Sequence, residues 1–311
     1  MSRRSEVEVE IRDSDQISAY VESLRELEES ILYPIDDGAD HFSIDHGEQY
    51  HPFFSHMGDA YFMLARRGEQ VIGSLAGVFR YASVGDERVS SIYFCDFKLR
   101  ENERGGVLAR KMAGLVLKAA IVEPRFWRWR IAYFAAMTGE RGDVTRSMRR
   151  MHTGRLLDRA AKLWIYFAPA SSLADLELSA APSPPGGSGA DFSPDVRQEC
   201  QGAGWMSTAG RKDLRLRSSG EPWPLVHLPL GPRQWGESWG RYLKDVGEEL
   251  SSGVDDPTTC FAIDARLEDH VTWLASQGVE AQTSCVVYAL SIPNPRSIYR
   301  YDWVHLATSE I

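Results

Sequence analysis

Cysteine is scarce in this sequence, and the cysteines that are present lie far apart. The 311 residues contain four of them, Cys95, Cys200, Cys260 and Cys285, and no two form a Cys-x-x-Cys pair. Disulfide scaffolds and structural zinc sites depend on closely spaced cysteines, so we predict neither.

Long apolar runs are also missing. No uninterrupted apolar stretch approaches the roughly 20 residues that a membrane-spanning helix needs, and no apolar stretch of the kind found in secretory signals follows the charged segment Met1–Glu6. We therefore expect a cytoplasmic protein without a membrane partner. With 43% hydrophobic and 25% charged residues, the chain can bury a substantial core, and its length favours two domains.

Positive charge is absent from one part of the chain and concentrated in another. Between Glu26 and Ala65 there is no Lys or Arg, but there are nine carboxylates. Residues 1–97 carry a net charge of −11, residues 98–162 carry +10, and residues 163–311 carry −8. The total of −9 argues against a general nucleic-acid-binding protein, whereas the basic middle segment predicts a site for a polyanion. The acidic segment is suited to attract a cationic substrate such as an amine.

A segment rich in proline and glycine divides the chain. Ser179–Pro194 combines four prolines with three glycines and has almost no apolar side chains, which is typical of a linker or a long loop. We predict a first domain at residues 1–176, a linker at residues 177–196 and a second α/β domain at residues 197–311.

The spacing of apolar residues predicts the order of helices and strands. In the first domain we expect a helix over 17–31, a hairpin of strands over 61–65 and 70–81, a strand over 90–99, a helix over 107–121, a strand over 130–137, a helix near 143–152 and a strand over 162–167. In the second domain we expect a strand over 259–265, a helix over 267–274 and a strand over 283–292. This order indicates an α/β fold with a mixed sheet.

The strand over 90–99 leads through a glycine-containing turn directly into a helix. The first N–H groups of a helix have no partner within it and lie at the positive end of its dipole, so such a turn can bind phosphate. Gly105 and Gly106 permit a tight turn, and Arg104, Arg110 and Lys111 add positive charge.

This segment resembles the acyl-CoA pyrophosphate loop of the GCN5-related N-acetyltransferases (GNAT), whose pattern is Gln/Arg-x-x-Gly-x-Gly/Ala. Arg104 takes the first position of the pattern and Ala109 the last, whereas Val107 stands where the family usually has glycine. Gln70–Phe79 is similar to the family's second hairpin strand, and the order of elements over residues 6–167 is the order of the family. The resemblance implies a mixed, mostly antiparallel sheet flanked by helices, with the C-terminal domain as a degenerate second GNAT-like half or as an extension that completes the first.

The resemblance also implies acetyl-CoA or another acyl-CoA as the co-substrate. It places ten residues at the CoA: Phe97, Lys98, Leu99, Arg104, Gly105, Gly106, Val107, Leu108, Ala109 and Arg110. The backbone of residues 97–99 would bind the pantetheine arm and polarise the thioester carbonyl. Further cationic neighbours for the CoA phosphates are Lys111, Arg146, Arg149 and Arg150.

The candidate catalytic residues follow from the same resemblance. Asp96 is the candidate that draws the amine proton, directly or through water. Family members often use a Tyr from the helix after the fifth strand to protonate the thiolate, but residues 143–152 contain none, so Ser147 and Tyr133 are the candidate proton donors. Direct transfer is expected rather than a covalent intermediate on Cys95. The candidates for binding the acceptor amine are Asp36, Asp37, His46 and Tyr93.

Four histidines, His41, His46, His51 and His56, recur every five residues among the carboxylates of the acidic segment. A spacing of five matches neither a helical face nor a metal-binding signature, so we predict no metal site. The predicted function is an N-acyltransferase that acts on an amine of a small molecule, amino acid or peptide. Two alternatives stay open, namely a transferase whose donor is an acidic acyl carrier protein, and a non-catalytic acyl-CoA-binding protein.

Overall fold

The computed structural model describes residues 6–35, 39–104, 106–137, 158–183, 191–196, 200–231, 239–253, 255–291 and 302–311. The strands are β1 (Val7–Asp13), β2 (Tyr33–Ile35), β3 (Asp40–Asp45), β4 (Asp59–Arg67), β5 (Gln70–Val84), β6 (Glu87–Leu99), β7 (Ile131–Met137), β8 (Asp158–Pro169), β9 (Asp191–Pro194), β10 (Met206–Ser207), β11 (Asp213–Leu216), β12 (Pro222–Trp223), β13 (Leu225–His227), β14 (Thr258–Asp264), β15 (Thr283–Ser291) and β16 (Trp303–Val304). The α-helices are α1 (Val21–Glu29), α2 (Pro52–Met57), α3 (Val107–Val122), α4 (Ala170–Ala174), α5 (Trp239–Ser251) and α6 (Glu268–Ser276). None of the helices in these ranges is long and apolar enough to cross a membrane.

One large sheet contains strands from both parts of the sequence. Its order within the described residues is β1-β4-β5-β6-β7-β15-β8-β14-β13-β10, and β9 pairs with both β5 and β16. Most neighbouring strands are antiparallel, while the pairs β6–β7, β13–β14 and β9–β16 are parallel. The late strand β15 lies between β7 and β8 and pairs with both of them. The expected mixed, mostly antiparallel sheet flanked by helices is confirmed.

Helices cover both faces of the first half of this sheet. Successive residues of a strand point to opposite faces, so one strand contributes side chains to the core on each side. Phe62 and Leu64 of β4 join the core that contains the buried residues of α1 and α2. Met63, the residue between them, packs with Leu108 and Met112 of α3 on the other face. In the second half, α5 and α6 pack on β8 and β14 in a separate core.

The elements predicted from apolar spacing agree with the structure. The predicted helix over 17–31 is a 3-10 turn followed by α1, and the strands and helices expected at 61–137 and 259–292 correspond to β4–β7, α3, β14, α6 and β15. The strand predicted over 162–167 corresponds to β8. Several elements were not predicted, among them the alternating strand β1 and the helices α2 and α5. The helix predicted near residues 143–152 lies outside the described residues. Four residues inside the predicted linker, Asp191–Pro194, form β9, and the domain boundaries stay a prediction.

Candidate active site

The carboxyl end of β6 contains a β-bulge at Asp96. In the pairing with β5, Ser74 lies opposite Lys98 and Ala76 lies opposite Cys95, so two residues of β6 face only Leu75. Asp96 takes a positive φ of 54°, and the Ser74 hydroxyl donates a hydrogen bond to its backbone oxygen at 3.2 Å. A bulge of this kind bends the strand and redirects a side chain, here the carboxylate of Asp96.

The two central strands β6 and β7 separate just before this bulge. Their parallel pairing covers only Ser91–Tyr93 with Ile131–Tyr133. Beyond Tyr93, β7 continues to pair with β15 on its other side, whereas no described strand pairs with this edge of β6. Backbone N–H and C=O groups of β6 therefore face a V-shaped opening, where an extended ligand could pair with them.

A turn and the start of α3 follow the bulged strand. Gly106 is the N-cap residue of α3, has a φ of 98°, and provides no side-chain cap for the first N–H groups of the helix. Ala109, in the first turn, lines the opening, and Arg104 and Arg110 are exposed beside it. These N–H groups and cations form a setting that favours an anionic group.

Replacing Gly106 by alanine is expected to lower the free energy of unfolding by about 1–2 kcal/mol, because a Cβ disfavours the left-handed conformation. The added methyl group would meet no atom within 4 Å, so a steric clash does not contribute. Gly114, in the middle of α3, also has open space around its Cα. There alanine is expected to stabilise the helix by about 0.5–1 kcal/mol. Urea unfolding of both variants checks the opposite signs, and equal effects would contradict this explanation.

A large cavity of about 1370 Å³ opens at the separated strands. Side chains from both halves of the chain line it, and most of them are apolar. Representative lining residues are Met63, Phe94, Met112, Phe134, Leu214 and Trp223. Asp96 and His46 add polar groups to this lining. Ligand sites of proteins commonly combine an apolar wall with a few such groups, and typical volumes are about 300–1,000 Å³. The cavity is thus larger than an acetyl group alone requires.

Behind Asp96 lies a buried network of charged groups, which we call the Lys98 network: Glu28, His46, Tyr50, Asp96 and Lys98. The Lys98 ammonium donates to Glu28 Oε1 at 2.6 Å and also contacts Asp96 Oδ1. The Tyr50 hydroxyl donates to Asp96 Oδ2, and His46 Nδ1 contacts Glu28 Oε1. The network joins α1, the segment after β3 and the end of β6, which are far apart in sequence.

The electrostatics of this network keep Asp96 ionised. Burial opposes its ionisation, but the Lys98 ammonium, His46 and the hydrogen bond from Tyr50 outweigh burial and hold the pKa of Asp96 below its usual value. Burial likewise opposes the charge on Lys98, yet Asp96 and Glu28 together raise the pKa of Lys98 above its usual value. Burial and the Asp96 charge raise the pKa of the neighbouring Cys95 well above its usual value, so that thiol stays protonated and is a poor nucleophile.

The ligand atoms of Glu28, His46 and Asp96 lie within 4.8 Å of one another, as the donors of a metal site would. The ammonium of Lys98, however, already contacts both carboxylates. A cation bound there would have to displace or repel this ammonium. We therefore assign the three side chains to the Lys98 network and not to a metal.

The candidates Tyr93 and Tyr133 lie together on the cavity wall. Their rings stack at 4.8 Å, and the Tyr93 hydroxyl donates to the backbone oxygen of Glu310 at 2.8 Å. The carboxylate of Glu310 pairs with buried Arg80 at 2.7 and 3.1 Å. Burial raises the pKa of both tyrosines, so their hydroxyl groups keep their protons at neutral pH.

The other predicted residues are placed as follows. Phe97 and Val107 are exposed. The side chains of Lys98 and Leu108 are buried, so only the backbone of Lys98 and Leu108 is left to contact a ligand. The following predicted residues lie outside the described residues: Asp36, Asp37, Gly105, Arg146, Ser147, Arg149 and Arg150. The structure brings Asp96, His46, Tyr93, Tyr133 and Ala109 to one cavity.

Several polar residues of this region were not predicted, among them Tyr50, Glu28 and Lys212. Glu28 has a sequence signal, because it lies four residues after Leu24 and three before Ile31, within the apolar stripe of α1. Lys212 has none, since no pattern marks the segment before β11. It is buried and lines the cavity, its ammonium donates to the backbone oxygen of Ile311, and burial lowers the pKa of Lys212 to about 8.

Replacing Lys212 by methionine is expected to raise the free energy of unfolding at pH 7. The lowered pKa of Lys212 corresponds to a gain of up to about 3 kcal/mol. Below pH 8 the folded protein has to keep a buried charge, which the methionine variant avoids. Between pH 8 and about 10 the unfolded chain binds more protons at this lysine than the folded protein does, so the folded wild type regains this stability as the pH rises. Urea unfolding at pH 7 and pH 9.5 should show a gain that shrinks with pH, and a loss of stability at pH 7 would contradict this.

No protein-family model matches the sequence, and no curated protein matches it. Among solved structures, N-myristoyltransferase of Saccharomyces cerevisiae with bound myristoyl-CoA has a TM-score of 0.52 at 9% identity, covering 97% of this chain and 85% of that one.

Two further solved structures are similar over most of the chain. A tandem GNAT protein from the clavulanic acid biosynthesis pathway has a TM-score of 0.51 at 11% identity, covering 92% of this chain and 98% of that one. A GCN5-related N-acetyltransferase from Anabaena variabilis ATCC 29413 has a TM-score of 0.50 at 10% identity, covering 92% of this chain and 73% of that one. At these identities the likeness concerns the fold, and the chain has a GNAT-like fold with two halves.

Proposed function

We propose that this protein is an N-acyltransferase that moves an acyl group from acyl-CoA to an amine. The observation that carries the proposal is the conjunction, on a GNAT-like fold, of the Asp96 bulge, the separated strands β6 and β7, and the uncapped start of α3 on one cavity. An acyl-CoA has the matching parts, because an extended amide-containing arm connects its phosphates to a thioester.

The donor is proposed to bind along β6 and α3. The backbone of Phe97–Leu99 pairs with the pantetheine arm, while the N–H groups of residues 107–109 at the start of α3 and the Arg104 side chain bind the pyrophosphate. A backbone N–H at the bulge polarises the thioester carbonyl. The volume and apolar lining of the cavity support acyl chains longer than acetyl. A structural neighbour, N-myristoyltransferase, was solved with myristoyl-CoA bound.

The acceptor is proposed to be an amine of a small molecule, amino acid or peptide that enters beside the acidic segment between Glu26 and Ala65. Asp96 at the bulge and His46 on the same cavity are the candidates for taking its proton, and Tyr93, Asp36 and Asp37 are proposed to contact it. For the thiolate, the proposed proton donors are Tyr133 and Ser147. A donor such as acyl-CoA suits a cytoplasmic location, which stays a prediction.

Thermal unfolding with CoA, acetyl-CoA, octanoyl-CoA and myristoyl-CoA tests the proposed donor. A ligand present at 100 times its dissociation constant stabilises the folded state by about 2.7 kcal/mol, so we expect a clear rise in melting temperature with the longer acyl-CoAs. Thiol release on an amine panel then separates the alternatives. Stabilisation without amine-dependent thiol release would favour a non-catalytic acyl-CoA-binding protein. If no CoA species stabilised the protein, a carrier-protein donor would become the better hypothesis.

A further inference from the structure

We propose that His46, oriented by Glu28, is the group that takes the proton of the acceptor amine, and that Asp96 is a positioning residue. This inference rests on the proposed N-acyltransferase function. The proton acceptor is then the imidazole of a carboxylate–imidazole pair. The carboxylate lies on α1, and the imidazole lies in the segment after β3.

The imidazole of His46 is held in one orientation. Its Nδ1 contacts Glu28 Oε1, and its backbone N–H donates to Glu28 Oε2 at 3.3 Å. The rings of Phe53 and Phe54 pack against it with centroid distances of 5.0 and 4.7 Å. His46 is buried and lines the cavity. With Nδ1 engaged, the proton is taken at Nε2, the ring nitrogen that has no partner among the described residues.

Glu28 is placed to support His46 during the transfer. Its carboxylate contacts both His46 Nδ1 and the Lys98 ammonium, and Lys98 also contacts Asp96. A carboxylate in direct contact with the ring stabilises the imidazolium that forms when the amine loses its proton, as a buried carboxylate does beside a catalytic imidazole.

Other titratable groups face this site from the surrounding elements. Tyr50 is buried and Tyr33 of β2 is partly buried, and removal from water raises the pKa of both, so they stay neutral. Lys212 also lies near Phe53, with its ammonium 5.2 Å from the ring centroid. Its charge opposes the imidazolium, whereas the carboxylate of Glu28 is in direct contact with the imidazole. The nearer carboxylate dominates because Coulomb energy falls with distance.

Asp96 is less suited to accept a proton. Lys98 contacts its Oδ1, and the Tyr50 hydroxyl donates to its Oδ2. Both contacts stabilise the ionised form, and a carboxylate stabilised in this way is a weak base. The residue instead holds Lys98 in place and forms the bulge at which the thioester carbonyl is polarised.

The proposed step balances as follows. The lone pair of a neutral amine forms the C–N bond at the thioester carbonyl, and the carbonyl π electrons move to oxygen. The nitrogen gives one proton to His46 Nε2. The carbonyl re-forms, the C–S bond breaks with its electron pair on sulfur, and the CoA thiolate takes a proton from the donor proposed above, which in turn recovers the proton held by His46. The products are an amide and the free thiol, and the imidazole is neutral again.

The test measures kcat/KM for an amine acceptor against pH, with acyl-CoA saturating, in wild type and in H46A, H46Q, E28Q and D96N. We expect kcat/KM of H46A and H46Q to fall by about 100- to 10,000-fold while acyl-CoA still raises their melting temperatures. Added imidazole should restore at least about tenfold to H46A, which a purely structural role would not produce. In E28Q the acid limb of the pH profile should move to lower pH, because the imidazolium loses its carboxylate neighbour.

The histidine His51, at the N-cap of α2, serves as the matched control. H51A should keep wild-type turnover and show no imidazole rescue. Folded H46A that retains turnover within about threefold of wild type would overturn the proposal. A pH profile of D96N without its acid limb, together with a profile of E28Q whose acid limb stays at the wild-type pH, would overturn it as well. If H46A does not fold, the E28Q profile decides alone. Absence of transfer in the wild type would instead count against the proposed function itself.

Discussion

Replacing Lys98 by methionine is expected to lower the free energy of unfolding by about 3–5 kcal/mol, the range for removing one partner of a buried ion pair. Lys98 is 2% exposed, and its ammonium contacts carboxylates from α1 and from β6. Methionine fills much of the same volume, so lost packing contributes little. The cost comes from Glu28 and Asp96, which would stay buried without their shared cation.

The pH dependence of this variant provides a second readout. In the wild type, the lowered pKa of Asp96 gives stability that is present above its unfolded pKa and is lost as the pH falls through its folded pKa. Without Lys98 the buried carboxyl groups bind protons more readily, so the difference from wild type should narrow between pH 7 and pH 5. Lys118, exposed on α3, is the matched control, and K118M should change the free energy of unfolding by less than about 0.5 kcal/mol. Equal effects of the two substitutions would show that the network does not stabilise the fold.

Replacing Ala109 by glutamate is expected to weaken acyl-CoA binding by about 10- to 100-fold, since like charges placed together at a binding surface cost several kcal/mol and 1.4 kcal/mol is tenfold. Ala109 lies in the first turn of α3 and lines the cavity. The added carboxylate would lie where the pyrophosphate is proposed to bind. Isothermal titration of octanoyl-CoA into the variant measures the loss.

Gly114 offers a matched control for this charge. It lies on the same helix, is exposed, and has no atom within 4 Å of an added Cβ. G114E introduces the same carboxylate about one and a half turns further along α3, so its affinity for octanoyl-CoA should stay within about threefold of wild type, because exposed charges at that distance are partly screened. Loss of affinity in both variants would indicate a general effect of charge, and loss in neither would contradict the proposed phosphate site.

Local patterns in the sequence predict much of this structure. Local sequence predicts α1 and α3, which bury one face and show it in their periodicity, and it predicts the strands β4–β6 as runs rich in apolar residues. The glycine-containing turn after β6 is also local, and Gly106 takes a positive φ there. The resemblance to the GNAT pattern depends on these local features and correctly indicates the fold.

Contacts distant in sequence explain what could not be predicted. Glu28 and Lys98 pair across 70 residues, and the bulge at Asp96 depends on the register between β5 and β6, which no single strand shows. Lys212 enters the cavity from the C-terminal half. The position of β15 between β7 and β8 is likewise a property of the whole sheet. Such contacts depend on tertiary packing, which one sequence does not display.

The most direct test of the central claim is mass spectrometry of an amine panel after incubation with the protein and either acetyl-CoA or octanoyl-CoA. The proposed function predicts an amine whose mass increases by one acyl group, with one free CoA thiol for each amide formed. A109E should form this product more slowly than wild type when acyl-CoA is limiting. A wild-type protein that is stabilised by acyl-CoA but yields no acylated amine and no amine-dependent thiol would contradict the claim.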